Sequence, residues 1–205
     1  MRIVALAAML AVATPAFAGS HAVIKDTSFR DARGGRVQQL ELSIDVPIAK
    51  IWKAFTTDSG FMSWAAPLAH IDLRNGGMIE ASYRLSAKIG DPENIRNRIV
   101  AYLPERLLVL HNVHAPKNGP FKQDVIGKIR TIFQFEDLGH GRTRVVESGV
   151  GYGEGSDFDT MYRHFRAGNR AEFILLVRRF ETGPIDWKAE AARANASVRD
   201  SKKSD

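Results

Sequence analysis

The 205-residue sequence contains no cysteine, which excludes disulfides, thiolate metal sites and cysteine nucleophiles, and leaves the fold to be held by its core alone. The same absence rules out a lipid-anchored export signal, which needs a cysteine at the cleavage point. No apolar run reaches the length of a comfortable membrane span, so no stable membrane anchor is expected. No block of one charge exists either. The 29 basic and 23 acidic residues are spread along the chain, whereas nucleic-acid binders usually concentrate charge on one helix or stripe, so no nucleic-acid partner is expected. The G-x-S-x-G nucleophile pattern is absent. His111 and His114 stand three apart in a strand-like segment and so point to opposite faces, leaving no metal-ligand set. Neither a metal nor a cofactor is expected.

What is present begins with MRIVALAAMLAVATPAFAGS. Arg2, the apolar stretch Ile3 to Val12 and the small-x-small triplet Ala16-Phe17-Ala18 together predict an export signal over residues 1–18, cleaved after Ala18. The protein is therefore expected in the periplasm or secreted. Residues 19–35 form an amino-terminal arm, residues 36–187 one domain, and residues 188–205 a polar tail. A chain of this length buries on the order of 70% of its unfolded surface, enough for one core without staples.

Within the domain, Leu40, Leu42, Ile44 and Val46 alternate with polar residues, the period of a half-buried strand. Pro47 then fits the first position of a helix whose Ile48, Ile51, Trp52 and Phe55 share one face. Thr57-Asp58 or Ser59 can cap a second short helix carrying Phe61, Met62 and Trp64, closed by Pro67. A meander follows: a hairpin turning at Arg74-Asn75-Gly76-Gly77, then strands from Arg98 to Leu103, Leu107 to His114, Lys128 to Glu136 and Thr143 to Tyr152. A long helix from Asp157 to about Thr182 ends at Gly183-Pro184. Phe158, Tyr162, Phe165, Phe173, Leu176 and Phe180 form its apolar stripe, with Asn169 and Glu172 inside or beside it. The order of elements predicts an α+β fold, a bent antiparallel sheet wrapped around the last helix, with room for a cavity between them.

Several motifs carry a family resemblance: Val46-Pro47 with Ile51-Trp52 and Phe55, Gly60-Phe61 with Trp64, Asp72-Leu73-Arg74 with Gly76-Gly77, Pro104-Glu105-Arg106-Leu107, Thr143-Arg144-Val145 with Ser148-Gly149, and Phe180-Glu181-Thr182-Gly183. In this order and spacing, the chain from about Val37 to Gly183 resembles the START-like, or SRPBCC, superfamily with its helix-grip fold. Within it the chain is similar to the branch named after the activator of the heat-shock protein 90 ATPase. Many relatives have a glycine-tryptophan pair in the last helix, where this chain has Gly168-Asn169.

The resemblance implies a pocket under the last helix, and Trp64, Tyr83, His111, Phe133, Phe165, Asn169, Glu172 and Phe173 are the candidate ligand-binding residues. Each also has a plain structural role. Trp52 and Phe55 are expected in the core, with Phe61 and Trp64 near the cavity mouth; aromatics at helical spacing are most often core. Asn169 and Glu172 need partners, since an unsatisfied buried amide costs about 1–3 kcal/mol. Tyr83, His111 or Ser148 can supply them from the sheet, or a ligand can; for Glu172 a salt bridge to Arg166, Arg170 or Arg179 is a further option. Gly149 to Gly155 has the glycines of a phosphate loop but no following Lys-Ser or Lys-Thr, and reads as a flexible entry to the last helix and a candidate lid. Glu80 and Glu147 sit in strands with no partner apparent.

Three functions are open at this level. One is an exported binding protein for a small hydrophobic or amphipathic molecule. Another is a cyclase- or hydrolase-type enzyme of the same fold, with Glu172, His111 or Tyr83 as acid or base. The third is a chaperone-like module with a protein partner.

Overall fold

Alternation sets the architecture. In β3 (Arg36–Ile44) Leu40, Leu42 and Ile44 are buried while the residues between them are only half-buried, so one face of the strand belongs to the core and the other does not. The computed structural model describes residues 22–117 and 119–193. The expected export signal, with its cleavage point, and residues 194–205 lie outside the described residues.

Among those residues the strands form one nine-stranded antiparallel sheet. From β3 it runs through β9 (Arg142–Tyr152), β8 (Arg130–Gly139), β7 (Leu107–His114), β6 (Ile95–Leu103), β5 (Met78–Ser82) and β4 (Leu68–Ile71). The arm supplies β1 (Val23–Asp26) and β2 (Phe29–Arg30), which both pair with β3. Gly76 takes φ +80° in the turn before β5, a conformation that side-chain-bearing residues resist. Register shifts interrupt the ladders within β3, β6 and β8, and such bulges bend and twist a sheet.

The helix α1 (Ile48–Thr56) starts one residue later than expected, with Pro47 at its cap position, and buries Ile51, Trp52 and Phe55. In α2 (Asp58–Met62) the Thr57 hydroxyl accepts from the Gly60 amide, the cap anticipated from Thr57-Asp58. The long loop after β7 contains a short helix, α3 (Gln123–Ile126), that its proline- and glycine-rich composition did not suggest. The last helix, α4 (Ser156–Thr182), starts one residue before the expected Asp157 and ends at Thr182 as expected.

Two clusters fasten α4 to the inner face of the sheet. At its carboxy-terminal half Phe173 and Leu176 are buried with Leu40, Leu42, Phe133 and Phe135. At its amino-terminal end Phe158 and Met161 are buried with Tyr152, Val125 and Ile129. Met161 was not part of the expected stripe, yet it is fully buried, whereas Tyr162, Phe165 and Phe180 are half-buried. It lies three residues beyond Phe158 on the same helical face, and its flexible thioether fills the space there. Between the clusters come Phe165, Gly168, Asn169 and Glu172, none of them fully buried. Polar side chains cannot settle dry onto an apolar sheet, so here helix and sheet stay apart.

After α4 the chain turns back onto α2. The Ile185 amide bonds the Ser63 carbonyl at 2.9 Å, the Trp187 indole bonds the Met62 carbonyl at 2.6 Å, and residues 187–193 are helical, so the segment expected as polar tail begins in a helix. Replacing Leu176, which is fully buried at the main contact of α4 with the sheet, tests this packing. Leu176→Ala is expected to lower unfolding stability by about 2–5 kcal/mol in urea denaturation; an effect under about 1 kcal/mol would mean that the helix is not fastened there.

Candidate functional site

The gap under the middle of α4 is a cavity of about 180 Å³. Its floor comes from the inward-facing positions of three adjacent strands: Leu110 and Asn112 on β7, Thr131 and Phe133 on β8, Glu147 and Gly149 on β9. Period-two alternation puts each pair on the same face as the core residues of its strand. Phe55, Phe61, Trp64 and Ala65 close one end, and Phe165, Asn169 and Glu172 form the roof. A second chamber of about 500 Å³ shares Tyr83, Asn112, Phe165, Asn169 and Glu172 with the first and continues to Pro116, Phe121 and His164 on the loop and helix flank. The inner cavity therefore opens outward past Tyr83 and Phe165.

Six of the eight residues singled out from sequence meet here: Trp64, Tyr83, Phe133, Phe165, Asn169 and Glu172. Phe173 does not line the cavity; it is buried among Leu40, Leu42 and Leu176 and anchors the helix. His111 points to the other face of the sheet, because it follows the inward-facing Leu110 by one residue. Its Nε2 donates to the Gly127 carbonyl at 2.7 Å, which fixes the ring away from the cavity. Ser148 likewise faces outward, accepting from Gln39 at 2.9 Å. Trp64 lies at the inner end rather than near the mouth. It is 2% exposed and donates its indole N–H to the Ala54 carbonyl at 2.9 Å. Gly149 is part of β9 and of the floor, so it belongs to no flexible lid.

Of the partners expected for Glu172, Tyr83 is the one found: its hydroxyl donates to Glu172 Oε1 at 2.7 Å. Arg166 instead pairs with Asp26, and Arg179 bonds Ser63. Tyr83 shows 60% of its surface to solvent, with its hydroxyl turned toward Glu172. The charge of Glu172 holds the phenol well above its ordinary value; desolvation adds to this only in the measure that the hydroxyl is covered. Burial raises the Glu172 carboxyl above the usual carboxylate range, and the hydrogen bond from Tyr83 offsets part of that rise. The Asn169 side chain bonds no other group among the described residues.

The residue with the most unusual surroundings is one that the sequence shows without an apparent partner but that is not among the candidate ligand-binding residues. Glu147 is 5% exposed, faces the cavity, and among the described residues has neither a hydrogen bond nor a cationic neighbour. Burial first, and the Glu172 carboxylate second, push its carboxyl well above the usual range, so it favours the neutral acid. The signal was available in outline, since Glu147 falls in step with Val145 and Thr143. What alternation alone did not say was that the opposing surface brings no base.

A family model described as "Activator of Hsp90 ATPase homolog 1-like protein" matches residues 45–171, more than half of the chain. No curated protein sequence matches. Among solved structures, the Aha1 dimer from Colwellia psychrerythraea is similar at 18% identity and a TM-score of 0.54, over 72% of this chain and 97% of that one. Protein MLL2253 from Mesorhizobium loti gives 17% and 0.56, over 73% and 100%. CalU16 from Micromonospora echinospora gives 16% and 0.52, over 87% and 97%. At these identities the likeness is one of fold, and the fold is the helix-grip α+β fold expected from the order of elements.

The two carboxyls predict the pH dependence of stability. Both are raised in the native state, so between the ordinary carboxylate value of 4.5 and their native values the folded chain holds more protons than the unfolded one. Their contribution therefore falls as pH rises through that window, by at most about 1.4 kcal/mol per pH unit for each group. Glu147→Gln, which keeps the shape and removes the charge, is expected to flatten this fall and to melt above the parent at pH 8. Parallel melting curves across pH 4–9 would show that Glu147 is not held as described.

Proposed function

The chain belongs to the Activator of Hsp90 ATPase homolog 1-like family, and on that premise we propose that it binds one small, largely apolar molecule with a polar end in the hollow beneath α4. The observation that carries this reading is Glu147, a residue 5% exposed and without a protein partner among the described residues, its carboxyl at the floor of an aromatic-lined cavity. A buried polar group without a partner is costly to keep. A guest that hydrogen-bonds it would recover that cost.

Size supports the reading as well. A dry cavity of about 150 Å³ already accommodates benzene, and the outer chamber of about 500 Å³ by itself falls within the range of about 300–1,000 Å³ typical of small-molecule sites. Phe55, Phe61, Trp64, Phe133 and Phe165 offer apolar surface to the body of the guest. Glu147, Asn169 and the Tyr83–Glu172 pair set its orientation. The proposal includes export, on the strength of the pattern in residues 1–18, which would put the guest outside the cytoplasm. Family membership also favours a second reading, a chaperone-like module whose partner is a protein.

Native mass spectrometry of protein purified without denaturation separates the two. A retained small molecule is expected, together with saturable uptake of the neutral probe N-phenyl-1-naphthylamine. Asn169→Phe, which fills the cavity from its roof and breaks no side-chain bond, should lose the retained mass and weaken the probe at least about tenfold. Bare protein that takes up no probe, with crosslinking in cells to a single protein, would overturn the ligand reading in favour of the second.

A further inference from the structure

The inner cavity has acids and, among the described residues, no base; His164 lines only the outer chamber. Its wall contains Glu147 on the sheet and Glu172 on the helix opposite, and none of its lining residues is lysine, arginine or histidine. This is a local property, since the chain as a whole carries a formal charge of +6. The basic residues nearest along the helix are engaged elsewhere or face outward: Arg166 with Asp26, and exposed Arg170 on the far side of the roof. Glu172 has one donor, the Tyr83 hydroxyl. Glu147 has none among the described residues, and its side chain faces the hollow.

Three classes of polar end can be compared at such a floor. A carboxylate or phosphate would be brought up to two carboxyl groups with no counter-charge, which is repulsive and leaves its own charge unpaired. An alcohol would exchange one hydrogen bond with Glu147 and leave both acids otherwise unchanged. An ammonium group supplies the missing cation: it donates up to three hydrogen bonds, enough to engage both Glu147 and Glu172. Charge-assisted bonds are roughly twice as strong as neutral ones. The rings of Phe55, Trp64, Phe133 and Phe165 around it are favourable to a cation that has left water.

We propose that the guest is an amphipathic amine, an aromatic or aliphatic body carrying a primary or secondary ammonium group that seats between Glu147 and Glu172. This rests on the ligand reading above and narrows it. Seating the ammonium on a neutral Glu147 ionises that carboxyl. One proton leaves the O–H of Glu147 for solvent while the ammonium keeps its own. The other titratable groups facing the cavity are Glu172, Tyr83 and Tyr152; both phenols are raised above their ordinary value and stay neutral, which leaves the carboxyls as the source of the proton.

The test is calorimetric titration of the full chain with 2-phenylethylamine, 2-phenylethanol and phenylacetate, which share one body. At pH 7 the amine is expected to bind at least tenfold more tightly than either of the others. Repeating the amine titration in buffers of different ionisation enthalpy should show net proton release. Glu147→Gln should abolish both the release and the preference while still binding 2-phenylethanol. Binding of the alcohol equal to that of the amine, or an amine preference unchanged in Glu147→Gln, overturns the amine assignment and leaves the cavity reading standing. If none of the three binds and N-phenyl-1-naphthylamine does not bind either, both fail together.

Discussion

The structure depends on how α4 is held: fastened to the sheet at two places and kept off it between them. Phe158 and Met161 secure one end, Phe173 and Leu176 the other. Helix–sheet contact of this kind is ordinarily continuous, because every apolar area left uncovered forgoes burial worth about 25 cal/mol per Å². Here about two turns of helix interrupt it with Gly168, Asn169 and Glu172. The hollow is thus built into the helix sequence, and the two anchors supply the stability that lets it remain open.

The polar groups around that hollow are divided into settled and unsettled ones. Asn112 bonds Asn97 and His114, and Tyr152 bonds Gln38 at 2.8 Å. Gly149 leaves room for the latter, since a β-carbon there would stand 3.1 Å from the tyrosine oxygen and crowd it. Those contacts rigidify the floor. Among the described residues the side chains of Glu147 and Asn169 are left without protein partners, one on the floor and one on the roof of the cavity. Gln38 keeps its Nε2 buried without a partner among the described residues; Glu147, which has no bond at all there, gives up stability at that point, which is the pattern of a residue kept for what it contacts rather than for what it holds.

Much of this was legible in one dimension. Period two placed Leu40, Leu42 and Ile44 inward, and the 3.6 period grouped Ile51, Trp52 and Phe55. The strand Leu107–His114 and the end of the last helix at Thr182 fall where turn residues and Gly183 put them. The helix stripe brought Phe165, Asn169 and Glu172 to one roof. His111 went astray because two residues adjacent on a strand differ in face, and only its register beside Leu110 settles which. Phe173 went astray because the helix stripe passes from cavity to core within a single turn, between Glu172 and Phe173. The short helix α3 lies in a segment whose prolines and glycines mask it.

Sequence by itself determined most of the elements, their order and the class of fold, because backbone periodicity and turn chemistry are local and each residue carries its own share of them. Tertiary structure alone decided what stands opposite what. It put Tyr83 against Glu172 across 89 positions of chain and brought Glu147 to a wall with no base. A carboxyl's charge state is set by desolvation and by neighbours a few ångströms away, and neither is a property of the residues beside it in the chain.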